Sequence, residues 1–244
     1  MRVSIESDRR LAGQVAWVTG AGRGVGRATA LALAAHGARV AICARTERQI
    51  AETAAQLEAA GGEVLAGTVD VANEGQVNDF AGRITERFGR LDILVQCAAI
   101  IAVQPFDAFE TRAWDDVLAV NLRGSFLCAR AAFRMMKESG GQMILISSLS
   151  GVRGPEKFPG LAAYNVSKAG VLALSEILAV EGKPHGIRVN CVSPGAVDTD
   201  LLRQAGHGLR AGVTAEQVGD FLAWLCLPEA AILTGANVEI MSNA

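Results

Sequence analysis

The chain has 244 residues, half of them hydrophobic, only 5% aromatic and 27 of them glycine, a composition typical of helices packed on buried parallel strands. The formal net charge of −2 excludes the strongly basic balance expected of a protein that binds nucleic acid or an anionic membrane. The five cysteines are widely spaced and odd in number, so neither a metal site nor a disulfide framework is predicted.

Residues 1–10 form a polar segment that lacks the apolar stretch of a signal peptide. No part of the chain contains the roughly 20 consecutive apolar residues of a membrane span. We therefore expect a polar tail over residues 1–10 and a cytoplasmic protein with no nucleic-acid or membrane partner.

Short apolar runs alternate with longer segments of helical spacing along the chain. In chain order the predicted elements are strand 15–19, helix 27–37, strand 39–44, helix 47–60, strand 64–69, helix 76–88, strand 92–96, helix 114–138, strand 142–147, helix 164–181, strand 187–192, helix 214–227 and strand 238–241. Strands that alternate with helices pair in parallel through right-handed crossovers. The predicted fold is α/β, a single doubly wound (Rossmann-like) domain over residues 11–244 with a mainly parallel sheet of about seven strands.

A glycine-rich turn follows the first predicted strand. Gly20, Gly24 and Gly26 have the spacing T-G-x-x-x-G-x-G, and no frame of the turn gives G-x-G-x-x-G/A. Glycines between a strand and a helix allow the backbone to approach a pyrophosphate, which the N–H groups of the helix then bind. The turn predicts a nucleotide site, and the alternative is a turn that only connects a strand to a helix.

From this turn onward the chain resembles the short-chain dehydrogenase/reductase family, over residues 11–235. Five further motifs match those of the family in the same order, and 3-oxoacyl-[acyl-carrier-protein] reductases are one similar subgroup. These motifs are an acidic residue for the adenine at Asp70 before Val71, a helix asparagine at Asn121, a serine strand ending at Ser148, a Tyr-x-x-x-Lys pair at Tyr164 and Lys168, and a Pro-Gly loop from Pro194 and Gly195 to Thr199.

The Tyr-x-x-x-Lys pair gives the resemblance its chemistry. Tyr164 and Lys168 share one helix face, and a nearby ammonium is expected to lower the pKa of the phenol. Tyr164 can then exchange a proton with a carbonyl oxygen, which Ser148 holds by a hydrogen bond. The resemblance implies that Lys168 also binds the nicotinamide ribose and that Asn121 orders a water. Without the other motifs, such a pair usually indicates packing beside a solvated charge.

Two arginines favour NADP(H) over NAD(H). The acidic position of the family falls on Ala44, Arg45 follows it, and Arg23 lies in the glycine turn. Guanidinium groups bind a 2′-phosphate that an acidic residue would repel. The complete set of predicted cofactor-binding residues is Gly20, Gly22, Arg23, Gly24, Val25, Gly26, Arg45, Asp70, Val71, Cys97, Ala98, Ala99, Tyr164, Lys168, Pro194, Gly195, Val197 and Thr199.

The chain departs from the family pattern in four places. Cys97 and Ala99 replace an asparagine and a glycine, and the loop 153–160 is longer than usual. The substrate loop at about 198–213 is short, and the C-terminus lacks the closing Asp-Gly-Gly. We expect an open site for a bulky or carrier-linked substrate, or one that a neighbouring subunit completes.

The predicted function is an NADP(H)-dependent oxidoreductase that transfers a hydride between nicotinamide and a carbonyl or secondary alcohol. A ketone or a 3-oxoacyl thioester is the expected substrate, and a homodimer or homotetramer is the expected assembly. The alternative is a non-catalytic NADP(H)-binding sensor or scaffold protein. The retained Ser148, Tyr164, Lys168 and Asn121 favour the enzyme, because a binding role does not require this set.

Overall fold

A computed structural model describes residues 9–155, 157–206, 208 and 210–242 of the chain. Most of the predicted polar tail, residues 1–8, lies outside the described residues, as do residues 243–244 at the C-terminus. Positions 156, 207 and 209 of the two predicted loops are also outside them. No helix among the described residues is long and apolar enough to cross a membrane.

In the described residues seven of nine strands form one central parallel sheet. The nine strands are β1 Val15–Thr19, β2 Arg39–Ala44, β3 Val64–Thr68, β4 Ile93–Gln96, β5 Gly141–Ile146, β6 Ile187–Pro194, β7 Val197–Asp198, β8 Val213–Thr214 and β9 Asn237–Ile240. The order in the sheet is β3-β2-β1-β4-β5-β6-β9, and β7 and β8 form a separate two-stranded ribbon. The predicted doubly wound α/β fold with about seven strands is therefore confirmed.

Helices cover both faces of the sheet. They are α1 Gly24–Ala35, α2 Glu47–Ala59, α3 Glu74–Phe88, α4 Thr111–Leu118, α5 Gly124–Met136, α6 Ala162–Gly182, α7 Asp200–Ala205 and α8 Ala215–Leu225. Helices α3, α5 and α6 pack on one face, and α1, α2 and α8 pack on the other. This two-sided cover explains why the strands are continuous apolar runs, since neighbours such as Trp17 and Val18 enter opposite cores.

Three of the differences from the sequence prediction lie close to predicted site residues. The predicted helix 114–138 is interrupted by a π-helical turn, Ala119–Arg123, which joins α4 to α5. Helix α1 begins at Gly24 rather than at residue 27, so the glycine turn runs into the helix itself. Helix α7 lies within the predicted substrate loop, where the Thr199 hydroxyl accepts a hydrogen bond from the Leu202 N–H at 3.3 Å and caps the helix.

The sheet order reverses direction between β1 and β4. The chain leaves β1 toward β2 and β3 on one side, and it later returns to add β4 and β5 on the other. Thr19 and Gln96 are register partners at the carboxyl ends of the two central strands. A crevice forms at such a switch point in doubly wound folds, outside the carboxyl ends of the strands.

Candidate active site

A cleft of about 790 Å³ lies at the carboxyl ends of the strands. Segments that directly follow each of the strands β1 to β6 line it. The sequence-predicted site residues in its wall are Gly20, Gly22, Arg23, Gly24, Val25, Gly26, Arg45, Val71, Cys97, Ala98, Ala99, Ser148, Tyr164, Lys168, Pro194, Gly195, Val197 and Thr199. Asp70 and Asn121 are the two predicted site residues that do not line the cleft.

The glycine turn has a backbone that other residues adopt only with strain. Gly20 has φ +65° and Gly24 has φ +53°, both in the left-handed region. A Cβ atom on Gly26 would lie 2.4 Å from the carbonyl oxygen of Gly20, so the helix packs on the turn without room for a side chain. The turn brings backbone N–H groups at the start of α1 to the cleft, where they can bind an anion.

Asp70 forms its hydrogen bonds within the turn that precedes α3. Its carboxylate accepts a hydrogen bond from the N–H of Ala72 at 3.0 Å, and its own N–H donates to the Gln76 side chain at 2.8 Å. The neighbours Val69 and Val71 line the cleft instead. The structure thus brings apolar side chains to the predicted adenine position and turns the Asp70 carboxylate toward the backbone of Ala72.

Tyr164 and Lys168 lie one turn apart on α6, as predicted, and both are buried. Lys168 Nζ is 5.7 Å from the centre of the Tyr164 ring, and it donates a hydrogen bond to the carbonyl oxygen of Ile146 at 2.7 Å. The Ser147 hydroxyl donates to the carbonyl oxygen of Lys168 at 2.7 Å. These bonds attach α6 to the end of β5, so the Tyr-Lys pair and Ser148 share one wall of the cleft.

The pKa of Tyr164 is raised to about 12, although the sequence analysis expected it to be lowered. Burial penalises the charged phenolate, and this effect exceeds the opposing hydrogen bond with Ser148. Burial also lowers the pKa of Lys168 to about 8. The expected direction was wrong for the protein alone because both groups lie in the interior, where desolvation disfavours charge on each.

Asn121 connects two walls of the cleft from inside the π-helical turn. Its amide nitrogen donates to the carbonyl oxygen of Ile100 at 2.9 Å and to the Ser167 hydroxyl at 3.0 Å, and its amide oxygen accepts from the N–H of Ile100 at 2.8 Å. The Ser167 hydroxyl donates in turn to the carbonyl oxygen of Tyr164 at 2.8 Å. Ser167 was not predicted to be a site residue, because nothing in its spacing distinguishes it from a packing residue.

Residues 97–99 follow β4 directly and form the floor of the cleft. The N–H of Ala98 donates to the Thr19 hydroxyl at 3.2 Å, which holds this backbone beside β1. Burial raises the pKa of the Cys97 thiol to about 12, against smaller lowering effects of Lys168 and Thr29. Cys97 is therefore a neutral thiol at physiological pH, where the family has an amide.

The end of the cleft beside β2 contains the two predicted arginines. Arg23 Nη1 donates to Oδ2 of Asp200 at 2.9 Å. Arg45 is exposed, and within the described part of the chain it makes no hydrogen bond or ion pair. Gln49 and Asp200 also line this end, and neither was predicted. Asp200 lies far from Arg23 in the chain, so its contact left no signal in the sequence.

The loop after Ser148 folds around one lysine. Lys157 Nζ donates to the carbonyl oxygens of Leu149 at 3.1 Å and Ser150 at 2.9 Å, and also to that of Val152. All three ammonium N–H groups thus have acceptors in the segment that follows Ser148. Lys157 was not predicted to be a site residue, because a lysine in a loop usually indicates a solvated charge.

The wall of the cleft contains many apolar side chains besides the predicted residues. They come from the loop after β4, the long loop after β5, the start of α6, helix α7 and the C-terminal segment. These side chains are Ile100, Ile101, Leu149, Pro155, Phe158, Leu161, Leu201, Leu202, Ala205 and Met241. They can accommodate apolar parts of a ligand, and Ser150, Arg210 and Ser242 add polar groups to the same wall.

Comparison with known proteins agrees with this geometry. The family model described as short chain dehydrogenase matches residues 14–209. A 3-oxoacyl-[acyl-carrier-protein] reductase of Synechocystis sp. is 35% identical over 94% of this chain and 96% of its own length. A D-threitol dehydrogenase of Mycolicibacterium smegmatis is 33% identical over 98% of this chain and 95% of its own.

Solved structures extend the likeness to three dimensions. A crystal structure of levodione reductase superposes with a TM-score of 0.87 and 30% identity, over 94% of this chain and 96% of that one. A dehydrogenase/reductase from Sinorhizobium meliloti 1021 also gives a TM-score of 0.87, with 32% identity over 97% of both chains. The chain belongs to the short-chain dehydrogenase/reductase family of oxidoreductases.

Proposed function

We propose that this oxidoreductase is an NADP(H)-dependent ketone or 3-oxoacyl-thioester reductase that transfers a hydride between nicotinamide and a carbonyl or secondary alcohol. One observation carries the proposal. Ser148, Tyr164 and Lys168 lie together in the wall of a single cleft whose other end is the glycine turn. A cofactor bound by that turn and a carbonyl compound bound by these side chains would therefore share one cleft.

The chain's own residues supply the proton and stabilise the oxygen. Tyr164 remains protonated at neutral pH because burial raises its pKa to about 12, so it can donate its proton to the substrate oxygen. Ser148 donates a hydrogen bond to the same oxygen as negative charge develops there. Lys168 is still protonated near pH 7 with a pKa of about 8, and its positive charge compensates the phenolate left behind. A bound NADPH supplies the hydride that reduces the carbonyl carbon.

The cofactor side of the cleft fits a dinucleotide with a 2′-phosphate. The backbone of residues 20–26 would bind the pyrophosphate, because the glycine turn and the N-terminus of α1 line the cleft. Arg45 is exposed and follows the neutral Ala44, so its guanidinium is available to a phosphate. We assign the remaining cofactor contacts to Val71, residues 97–99, Pro194, Gly195, Val197 and Thr199. Asn121 is assigned to positioning α6 through Ser167.

The Arg45→Ala variant tests the cofactor assignment. Loss of a charge-assisted hydrogen bond to the 2′-phosphate should raise the dissociation constant of NADPH about tenfold and leave that of NADH unchanged. Fluorescence titration of the reduced nicotinamide measures both constants without a substrate. Equal effects on the two nucleotides would contradict a 2′-phosphate contact at Arg45.

The apolar walls favour an apolar carbonyl compound over a polyol. Each hydroxyl group of a polyol that faced Ile101, Phe158 or Leu202 would lose its hydrogen bonds to water without replacement. A ring ketone or an acyl chain would instead remove apolar surface from water. The names of two relatives, levodione reductase and 3-oxoacyl-[acyl-carrier-protein] reductase, support a ring ketone and an acyl chain, respectively, as candidate substrates.

The assembly is proposed to be a homodimer or homotetramer in the cytoplasm, built from one domain over residues 11–244. The outer surface of α5 and α6 exposes apolar side chains that a second copy would cover. These side chains are Phe126, Val166, Ile177 and Val180. The five cysteines are free thiols, a state that a reducing compartment preserves.

Consumption of NADPH with a panel of carbonyl compounds tests the proposal. The panel contains cyclic ketones, diketones, quinones and 3-oxoacyl thioesters, with polyol-derived ketoses as the polar comparison. We expect turnover with an apolar member, and loss of it in Tyr164→Phe while NADPH binding is retained. Undiminished turnover in Tyr164→Phe would contradict the assigned proton donor, and tight NADPH binding without any turnover would favour the sensor or scaffold function.

A further inference from the structure

An ion pair connects the glycine turn to the first turn of helix α7. Arg23 Nη1 donates to Oδ2 of Asp200 at 2.9 Å, and Arg203 Nη2 donates to Oδ1 of the same carboxylate at 2.6 Å. Both Arg23 and Asp200 line the cleft. Their side chains are 43% and 48% exposed, so a ligand in the cleft can reach either of them.

Arg23 and Arg45, the two arginines at the β2 end of the cleft, therefore differ in charge balance. Arg203 and Arg23 hold the pKa of Asp200 below its ordinary value, which keeps the carboxylate negative at neutral pH. This carboxylate offsets the positive charge of Arg23. Arg45 has no such partner in the described residues, so its positive charge is not offset by a neighbouring carboxylate.

We propose that Asp200 is a specificity-determining residue that reduces the preference for NADPH over NADH by competing with the 2′-phosphate for Arg23. This inference rests on the proposed NADP(H) site. A phosphate oxygen that bonds to Arg23 must lie near the carboxylate already bonded to that guanidinium, and the two negative charges repel each other. NADH has no 2′-phosphate, and its binding carries no such cost.

A bracing role of Asp200 would have the opposite effect. In that case the carboxylate would hold Arg23 in position for the phosphate, and its removal would weaken NADPH binding. The geometry favours competition for two reasons. An exposed ion pair contributes little to fixing a long side chain. The like-charge repulsion, by contrast, acts in every position from which a phosphate can reach Arg23.

The Asp200→Asn variant separates the two effects, because it removes the charge and keeps the size of the side chain. Dissociation constants for NADPH and NADH are measured by nicotinamide fluorescence at low and high salt. At low salt we expect NADPH to bind to Asp200→Asn about fivefold more tightly than it binds to the wild type. At high salt the gain in affinity should be smaller, because salt screens the repulsion. The constant for NADH should change by less than about twofold.

Asp198→Asn is the matched control. Asp198 pairs with Arg203 Nη1 at 2.9 Å, does not contact Arg23 and is absent from the wall of the cleft. This variant removes an equal charge from the same segment, so it should leave both constants near those of the wild type. An equal gain in NADPH affinity from Asp198→Asn would assign the effect to net charge and overturn the role of Asp200.

Weaker or unchanged NADPH binding in Asp200→Asn would also overturn the inference, and so would equal changes for the two nucleotides. A different result would contradict the proposed preference for NADP(H). A wild-type protein that binds NADH more tightly than NADPH would contradict the proposed cofactor preference. The inference would still stand if Asp200→Asn shifted the ratio of the two constants toward NADPH. Binding of neither nucleotide would overturn both.

Discussion

Replacement of Lys168 by methionine is expected to stabilise the cofactor-free protein while it abolishes catalysis. The side chain is 4% exposed, and burial lowers the pKa of its ammonium from 10.5 to about 8. The folded state therefore holds a charged group that its surroundings disfavour. Methionine has a similar length and no charge, so it fills the same space without that penalty.

The magnitude follows from the pKa difference. The change in the pKa of Lys168 from 10.5 to about 8 corresponds to a penalty of about 3 kcal/mol at neutral pH. Loss of the hydrogen bond from Lys168 Nζ to the carbonyl oxygen of Ile146 lowers the stability of the variant by about 1 kcal/mol. We therefore expect the free energy of unfolding of Lys168→Met to exceed that of the wild type by about 2 kcal/mol at pH 7.

The pH dependence gives the sign of the effect. Between pH 8 and 10.5 the unfolded lysine holds a proton that the folded lysine has lost, so the wild type gains stability as the pH rises. The advantage of Lys168→Met is complete below the folded pKa and should fall to near zero at about pH 9.5. Tyr164 titrates in both proteins, so its contribution cancels in the difference.

Urea unfolding of the two proteins without cofactor, at equal protein concentration and at both pH values, measures the difference. NADPH-dependent turnover of Lys168→Met should fall on the order of a hundredfold or more. A variant that is less stable than the wild type at pH 7 would refute the reasoning. An unchanged stability difference at the higher pH would show that ammonium burial is not its source.

Two further substitutions test local geometry. Gly26→Ala places a Cβ atom 2.4 Å from the carbonyl oxygen of Gly20, so we expect this variant to lose NADPH binding and to melt several degrees lower than the wild type. The control is Gly82→Ala, in open space on α3, which should add about 0.5–1 kcal/mol to the free energy of unfolding. Equal changes in melting temperature for the two variants would contradict the close contact at Gly26. Lys157→Met removes the donor of three carbonyl groups in the segment that follows Ser148. We expect kcat to fall about threefold to tenfold and the KM for NADPH to stay unchanged. Steady-state kinetics equal to those of the wild type would contradict a positioning role of Lys157.

The fold could be predicted from the sequence because its strands are buried on both faces. A parallel strand of this kind is a continuous apolar run, and β1 and β2 were predicted with the bounds that the structure has. The π-helical turn at Ala119–Arg123 could not be predicted, because its residues are compatible with an ordinary α-helix. The widened turn depends on tertiary contacts such as those of Asn121.

The site could be predicted only as far as local motifs extend. The glycine turn and the Tyr164–Lys168 spacing are local, and the structure places both in one cleft. The pKa direction of Tyr164 was wrong because the depth of burial is a property of the folded chain. The contact of Asp200 with Arg23 was missed for a similar reason, since it joins residues from opposite ends of the sequence.

Transfer of a labelled hydride tests whether the protein is an NADPH-dependent carbonyl reductase. NADPH with deuterium in both positions on the hydride-donating carbon of the nicotinamide ring is incubated with the protein and the best carbonyl compound of the panel. We expect an alcohol with deuterium on its carbinol carbon from the wild type, and no alcohol from Tyr164→Phe. An alcohol without deuterium, or no alcohol from any compound while NADPH binds tightly, would contradict this function.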